Sequence, residues 1–258
     1  MPSLTPSLIP SLIPSLIPVA APARVRERLA AAADGPRQVV HASASALYID
    51  LDGWCLGLVS VSATRVPCAL WSTLPDLTVL GRTGVRVESG RLHVGHAQAR
   101  ITRLADVSAP TLGRHGHGGS ERARLMTSAA GLALPAEGRL SVAHLDRLLG
   151  RGPGLTPLGD DVLAGWFAAR IAAGRPDHAL AAAVRRRLGV TTLLSATLLD
   201  CALRGEVLPQ LGTWLAEGGD AATEALLGVG ATSGAGMLAG AAVALTSLTD
   251  RDHPGRAA

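Results

Sequence analysis

The chain contains no lysine and no asparagine, and all 24 of its basic residues are arginine. Without lysine it cannot contain the phosphate-binding loop G-x-x-x-x-G-K-[ST], whose lysine reaches the β- and γ-phosphates. The net charge of +4 is small for 258 residues and is spread along the chain. The densest basic run, Arg185–Arg187, ends a predicted helix, where cations complement the helix dipole. We therefore expect no nucleic-acid partner.

Cysteine is scarce as well, with Cys55, Cys68 and Cys201 only. The odd number and the absence of C-x-x-C spacing argue against a disulfide framework and predict a reducing compartment, the cytoplasm. We expect the thiols to be buried as small apolar residues.

The histidines form no zinc signature. His115-x-His117 lies in a glycine-rich loop and His93-x-x-His96 in a strand-like segment, and neither pair has the companion ligands of a structural zinc site. We expect no metal and no cofactor.

A membrane-spanning run is also missing. The 25 residues from Ala225 to Thr249 carry no charge, but glycines interrupt them and leave only Met237 to Leu248 as a smooth helix. That helix is about 18 Å long at 1.5 Å per residue, which is too short to span a bilayer. The sequence predicts a buried helix after a glycine-rich loop, and no membrane partner.

Both ends of the chain are predicted to be disordered. Residues 2–18 have proline at every fourth position, which forbids a continuous helix and removes donors from a sheet. We expect a tail over residues 1–22 and a second tail over 250–258. Residues 1–18 should be dispensable, so that a chain beginning near Ala20 keeps its melting temperature within about 2 °C.

Between the tails the sequence predicts an α+β protein. Residues 23–110 form a β-rich subdomain of six to eight short strands, which opens with a helix over Ala23 to Ala33. The turn dipeptide Asp52-Gly53 indicates a hairpin. A linker over 111–119 leads to an alanine-rich helical subdomain over 120–249, with helices predicted at 121–132, 142–149, 160–173, 177–188, 192–204, 206–216, 221–227 and 234–248.

Two related glycine-rich segments lie in the helical subdomain, from Gly152 to Gly165 and from Gly228 to Gly240. Each reads Gly-x-Gly-x-Thr and then reaches Leu-Ala-Gly at the start of an apolar helix. Glycine permits positive φ, and threonine can cap the following helix. A helix N-terminus is an anion site, so we expect the two helix starts to converge on one small anionic ligand.

Specific residues follow from this pattern. Asp160 and Asp161 are the candidate catalytic acids; the alternative is that they only complement the helix dipole. The predicted ligand-binding residues are Gly152, Gly154, Thr156, Gly159, Thr192, Ser195, Gly230, Thr232, Ser233 and Gly234. The hydroxyls of Thr192 and Ser195 have the alternative role of bonding to the preceding turn, and those of the second loop that of an ordinary cap. Arg151 is a candidate counter-charge or simply an exposed arginine.

The first segment resembles a known family. Gly150 to Gly165 is similar to the pattern G-x-G-P-G-L-T-P-S-G-D-D-x-L-x-G of the AllH-like family, named for a subunit associated with oxamate carbamoyltransferase. The stretches Arg187–Gly205 and Gly228–Gly240 are similar to its other motifs, and the resemblance extends over about residues 38–248. Leu158 replaces the family's serine, and Ala231 and Gly236 replace a common histidine and acid.

The resemblance implies a subunit of a carbamoyltransferase-type complex in purine degradation, with carbamoyl phosphate or an oxamate-like amide as ligand and other subunits as partners. Two alternatives stay open. The chain is either a stand-alone enzyme acting on a small anionic amide or acyl phosphate, or a non-catalytic scaffold or regulatory protein whose glycines only permit close helix packing.

Overall fold

The computed structural model describes residues 16–113, 120–129, 131–132, 134–135 and 139–252. Strands occupy the N-terminal half and helices the C-terminal half, which confirms the predicted α+β class. Of the expected tail at 250–258, residues 250–252 belong instead to the last helix, and residues 253–258 and most of the linker at 111–119 lie outside the described residues.

One sheet of nine strands forms the N-terminal half of the described chain, in the order β2-β7-β8-β9-β1-β6-β5-β4-β3. Its strands are β1 (Leu16–Pro22), β2 (Gly35–Pro36), β3 (Val39–Ala42), β4 (Ala46–Leu51), β5 (Trp54–Val59), β6 (Ala69–Ser72), β7 (Arg86–Glu88), β8 (Arg91–Val94) and β9 (Ala97–Ala105). The predicted hairpin joins β4 to β5: Asp52 and Gly53 have φ of 55° and 79°, the positive values that a two-residue hairpin turn needs.

Strand β1 corrects the predicted extent of the N-terminal tail. Leu16 to Pro22 pairs in parallel with β9 and antiparallel with β6 near the middle of the sheet. Ile17 and Val19 are 1% exposed. The prediction of a tail is therefore wrong for residues 16–22. Buried side chains and hydrogen bonds to the two neighbouring strands offset the entropy that this apolar strand loses when it is ordered. Residues 1–15 lie outside the described part.

Helix α1 (Ala23–Ala31) follows β1 and lies where the sequence predicts a helix over Ala23 to Ala33. The helical half contains α2 (Ser120–Ala129), α3 (Leu145–Leu148), α4 (Leu158–Ala172), α5 (His178–Arg185), α6 (Leu193–Ala202), α7 (Pro209–Glu217), α8 (Gly219–Leu227) and α9 (Ser233–Asp252). Each predicted helix has a counterpart here, with its bounds shifted by a few residues. Among the described residues, no helix is long and apolar enough to cross a membrane.

The arginine run lies at the end of α5, as predicted from the dipole. Arg187 donates to the carbonyl of Ala183 in the last turn of that helix, and Arg185 reaches the carbonyl of Leu203 just beyond α6. Two of the three guanidinium groups thus bond to backbone oxygens at or near helix ends.

Helices α4 and α9 pack closely together in the helical half. A Cβ atom on Gly165 would lie 1.9 Å from the carbonyl oxygen of Met237, and one on Gly240 would lie 1.9 Å from that of Val162. Only glycine fits at these two positions. The Leu-Ala-Gly ending that the two glycine-rich segments share is therefore a reciprocal packing device.

Helix α6 joins the two halves of the molecule. Leu194 and Cys201 belong to the core of the sheet half, whereas Leu199 and Ala202 belong to the helical core. The buried Thr197 hydroxyl accepts a hydrogen bond from the backbone N–H of Cys55 in β5 at 2.9 Å. Helix α6 is consequently packed against both cores, and the candidate site lies beside this helix.

Candidate functional site

A cavity of about 240 Å³ lies where the sheet half meets the helical half. The two glycine-rich loops contribute Thr156, Asp161, Gly230 and Ser233 to its lining. The sheet half contributes Tyr48, Thr64, Val66 and Pro67. The cavity is thus built from both halves of the described chain, and its lining includes four of the twelve residues that the sequence singled out.

The two loops meet, as the sequence predicted. The hydroxyl oxygens of Thr156 and Ser233 lie 3.0 Å apart in a hydrogen bond. Thr156 does not cap α4, which corrects the predicted role: Pro157 precedes the helix, and no side chain caps it. The Thr156 hydroxyl is directed to the second loop instead, so the first turns of α4 and α9 lie side by side.

The backbone N–H groups at these helix starts are largely occupied. Gly159 donates to the carbonyl of Arg151 at 2.9 Å, and Asp160 and Asp161 both donate to that of Pro157. In the second loop Gly234 donates to the carbonyl of Val229 at 2.9 Å. The hydroxyls of Thr156 and Ser233, together with the Asp161 carboxyl, are therefore the polar side-chain groups that the two helix starts present to the cavity.

Asp160 holds the surrounding backbone together. Its side chain is 1% exposed. Oδ1 accepts from the N–H of Gly150 at 2.7 Å, and Oδ2 accepts from the hydroxyls of Ser195, at 2.6 Å, and Thr191. Both oxygens are thus bonded within the protein, and Asp160 does not line the cavity.

Asp161 has the opposite environment. The residue is only 7% exposed, yet it lines the cavity, and its Oδ2 has no hydrogen-bond partner among the described residues. Burial raises the pKa of the Asp161 carboxyl well above its ordinary value; the charge of Asp160 adds to the shift and hydrogen bonding with Ser233 opposes it. These conditions favour a protonated carboxyl group, which can donate a hydrogen bond as well as accept one.

Thr192 and Ser195 lie outside the cavity and help to position its wall. Thr192 caps α6 by accepting from the N–H of Ser195 at 3.1 Å, and its hydroxyl donates to the carbonyl of Leu155. Because Leu155 lines the cavity, Thr192 fixes one part of the cavity wall. Neither Thr192 nor Ser195 lines the cavity itself.

The predicted glycines divide into two groups. Gly152, Gly154 and Gly230 have φ of 121°, 93° and 58°, values that favour glycine and confirm that Gly154 and Gly230 have backbones unsuited to a side chain. Gly159 and Gly234 are required for packing, because a Cβ atom on either would lie 1.8 Å from a carbonyl oxygen. Of these five glycines, Gly230 lines the cavity.

Two polar predictions fall outside the cavity. Thr232 is exposed, and its carbonyl accepts from the N–H of Gly236. Arg151 is exposed and donates to the carbonyl of Asp146 at 3.3 Å. It is therefore an exposed arginine and not a counter-charge in the cavity.

Other lining residues carried no signal in the sequence. Tyr48 comes from β4, and Glu206 follows α6 with no motif around it. A 3.0 Å hydrogen bond joins Glu206 Oε2 to the guanidinium of Arg24 in α1. Tertiary packing alone brings Tyr48 and Glu206 to the loops, and within the described ranges no cluster of three or more potential metal-ligating side chains exists.

The comparison with known families covers most of the helical half. Residues 148–245 match the family model of oxamate carbamoyltransferase subunit AllH. The resemblance predicted from the sequence is confirmed over this segment, here named the AllH segment. It contains both glycine-rich loops and Asp161, but not the sheet half. No curated protein and no solved structure matches the chain.

Two departures from the family pattern are in contact within the AllH segment. A Cβ atom on Gly236 would lie 2.9 Å from Cδ1 of Leu158 and 2.8 Å from Cβ of Asp161. The leucine and the glycine are therefore coupled, because an acidic side chain at 236 would need the space that Leu158 and Asp161 occupy.

Proposed function

We propose that this chain is a subunit of an oxamate carbamoyltransferase-type system and that its cavity binds the amide end of a small substrate. The observation that carries the proposal is the buried carboxyl of Asp161, whose Oδ2 faces no protein partner among the described residues. A buried polar atom left without a partner costs stability. A ligand that bonds to it would remove that cost.

The chemistry of the three polar groups favours an amide. A protonated carboxyl donates to the amide carbonyl while its other oxygen accepts from the amide N–H₂. The Thr156 and Ser233 hydroxyls, 3.0 Å apart, can each donate or accept beside it. Asp161 is then the acid that contacts the substrate, and Asp160 positions the loop around it.

Of the two ligands implied by the family resemblance, an oxamate-like amide is supported better than carbamoyl phosphate. The positive ends of two helix dipoles favour a small anion. However, the amides of Gly159, Asp160, Asp161 and Gly234 already bond to carbonyls. The carbamoyl group of either ligand matches the Asp161 carboxyl, but the phosphate of carbamoyl phosphate carries more charge than the carboxylate of oxamate and would depend on two hydroxyls.

The family description also supplies partners for the proposal. A subunit acts with other subunits, so we propose that further carbamoyltransferase subunits complete the reaction, in the degradation of purines. Three buried, unpaired thiols support a reducing compartment such as the cytoplasm.

Thermal unfolding with added oxamate, carbamoyl phosphate or inorganic phosphate tests the ligand. We expect oxamate to raise the melting temperature of the wild-type chain, and Asp161→Ala, which removes both the donor and the acceptor, to reduce that shift. Asp220→Ala is the matched control, because Asp220 is an exposed acid of α8. No shift with oxamate, or an undiminished shift in Asp161→Ala, would contradict the proposal.

A scaffold role is the second candidate. It is favoured by the glycines at 159, 165, 234 and 240, whose lack of a side chain is explained by close backbone contacts without a ligand. Co-purification with other carbamoyltransferase subunits, combined with no response to any small molecule, would favour this role over substrate binding.

A further inference from the structure

We infer that Tyr48 is a further substrate-binding residue, which holds the carboxylate end of the oxamate-like ligand while Asp161 holds its amide end. This inference rests on the proposed function, because it takes the same cavity and the same class of ligand. It adds a second point of attachment in the sheet half, outside the AllH segment. The ligand therefore binds across the boundary between the two halves of the molecule.

Strand β4 places the ring of Tyr48 over the neighbouring strand. Tyr48 pairs with Gly57 of β5, and a Cβ atom on that glycine would lie 2.8 Å from Cε1 of the ring and 2.8 Å from Cβ of Ala69. Glycine in the interior of a strand weakens the strand and often marks the close approach of another group. Here the missing side chain leaves the space that the tyrosine ring occupies. Gly57 is therefore a positioning residue for Tyr48.

The hydroxyl of Tyr48 suits the recognition of a carboxylate. Tyr48 is 9% exposed and lines the cavity, and its hydroxyl is at the end of the ring furthest from the strand. Burial raises the pKa of this hydroxyl above its ordinary value of 10.0, so it keeps its proton and can donate at neutral pH. A hydrogen bond from a hydroxyl to a carboxylate is about twice as strong as one to a neutral acceptor. A buried tyrosine hydroxyl normally has a partner, and a ligand carboxylate is suited to that place.

The two halves of the cavity offer different chemistry to the two ends of the ligand. On the loop side, the Asp161 carboxyl can both donate and accept, as an amide requires. On the sheet side, the phenol of Tyr48 donates one hydrogen bond, as a carboxylate oxygen requires. Glu206 also lines the cavity, but its carboxylate is paired with the guanidinium of Arg24 at 3.0 Å. This pairing limits the repulsion of an incoming carboxylate, because a neighbouring cation compensates the charge of Glu206.

Calorimetric titration of the full-length chain tests the inference with two ligands of similar shape. Oxamate has a carboxylate, and isobutyramide has two methyl groups where oxamate has the carboxylate oxygens. Tyr48→Phe removes the hydroxyl and keeps the ring. We expect it to lower the affinity for oxamate by about tenfold or more, because it removes a hydrogen bond to a charged group. The affinity for isobutyramide should change by less than about threefold, since that ligand has no acceptor at this end.

Three further variants make the result specific. Thr83→Val removes an exposed hydroxyl of the sheet half and should change neither affinity. Asp161→Ala should lower both, because both ligands have an amide. Gly57→Ala should displace the ring of Tyr48 and reproduce the loss of oxamate affinity that Tyr48→Phe causes.

A measurement on the wild-type chain needs no substitution. Tyr48 is the single tyrosine among the 258 residues, so tyrosine labelled with carbon-13 at Cζ gives one assigned resonance. Saturation with oxamate should shift this resonance, because Cζ carries the hydroxyl that bonds to the ligand, and isobutyramide should shift it less. A Cζ resonance that oxamate leaves unmoved overturns the inference, and this result does not depend on the folding of any variant.

The outcomes separate this inference from the proposed function. An oxamate affinity that falls in Asp161→Ala and stays unchanged in Tyr48→Phe overturns the inference and leaves the proposed function standing. Equal losses for oxamate and isobutyramide in Tyr48→Phe would show that the hydroxyl only supports the fold, and this result also overturns the inference. An absence of oxamate binding by the wild-type chain overturns both.

Discussion

The hydroxyl of Thr156 bonds to the hydroxyl of Ser233, 77 residues further along the chain. This contact joins the first glycine-rich loop to the second and brings the starts of α4 and α9 together. Asp161, one turn into α4, lies beside the junction and faces the cavity. Similar loops thus build one polar corner of the cavity.

The hydrogen bonds of Asp160 predict a structural role. Asp160→Asn replaces one oxygen with an N–H₂ group, which cannot accept from Gly150 or from the hydroxyls of Thr191 and Ser195. We expect a loss of about 2–3 kcal/mol in the free energy of unfolding, because buried bonds to a charged group are strong and their orphaned partners are costly. Urea denaturation measures the change. An unfolding midpoint equal to that of wild type would contradict the role.

Substitution of the neighbouring Asp161 should raise the free energy of unfolding at neutral pH, whereas substitution of Asp160 lowers it. Asp161→Asn removes a buried ionisable group with an unpartnered oxygen, and we expect it to leave stability unchanged at pH 4 and to raise it relative to wild type at pH 7–8. A protein destabilised by Asp161→Asn at every pH would show that the carboxyl is structural.

The sign of this pH dependence follows from the raised pKa of Asp161. Above the ordinary carboxyl value of 3.8 the unfolded chain loses the proton while the folded chain keeps it. Stability of the wild type therefore falls by up to about 1.4 kcal/mol per pH unit until the raised folded pKa is reached. Asp160 interacts with Asp161, and the titratable residues Glu206 and Tyr48 line the same cavity among the described residues. All three are present in both proteins, so the test is the difference in stability between wild type and Asp161→Asn at each pH.

The contact between α4 and α9 predicts intolerance at two glycines. Gly165→Ala and Gly240→Ala would each place a methyl group 1.9 Å from a carbonyl oxygen, and we expect each to cost about 3 kcal/mol as the helices separate. Gly189→Ala is the control: a Cβ atom there meets nothing within 4 Å. Thermal unfolding of the three variants checks the prediction, and equal melting temperatures would rule out a tight crossing.

Strand β1 predicts where the N-terminus can be shortened. A chain beginning at Ala20 lacks Ile17 and Val19, two buried side chains that together stabilise the sheet by about 4 kcal/mol or more. We expect its melting temperature to fall by at least about 8 °C. A chain beginning at Leu16 should stay within about 2 °C of the full-length protein. Equal melting temperatures for both shortened chains would show that β1 is dispensable.

Much of the site was predictable from local patterns, and the roles within it were not. The repeated Gly-x-Gly-x-Thr pattern predicted two loops before two helices, and Asp160 and Asp161 were both candidates. Adjacent residues on a helix point about 100° apart, so one carboxyl is directed into the protein and the other into the cavity. Asp160 is the carboxyl directed into the protein because it bonds to Gly150, Thr191 and Ser195, and these partners come from other parts of the chain.

The sequence by itself determined the local features of this protein: the Asp52-Gly53 hairpin, the helical half and the glycines at positive φ. Each depends on a few neighbouring residues and their backbone preferences. The tertiary structure alone decided that Leu16–Pro22 is a strand within the sheet, that Gly165 and Gly240 serve a helix crossing, and that Tyr48 and Glu206 complete the cavity. Those outcomes depend on partners distant in the chain, because burial and close approach are properties of the packed molecule.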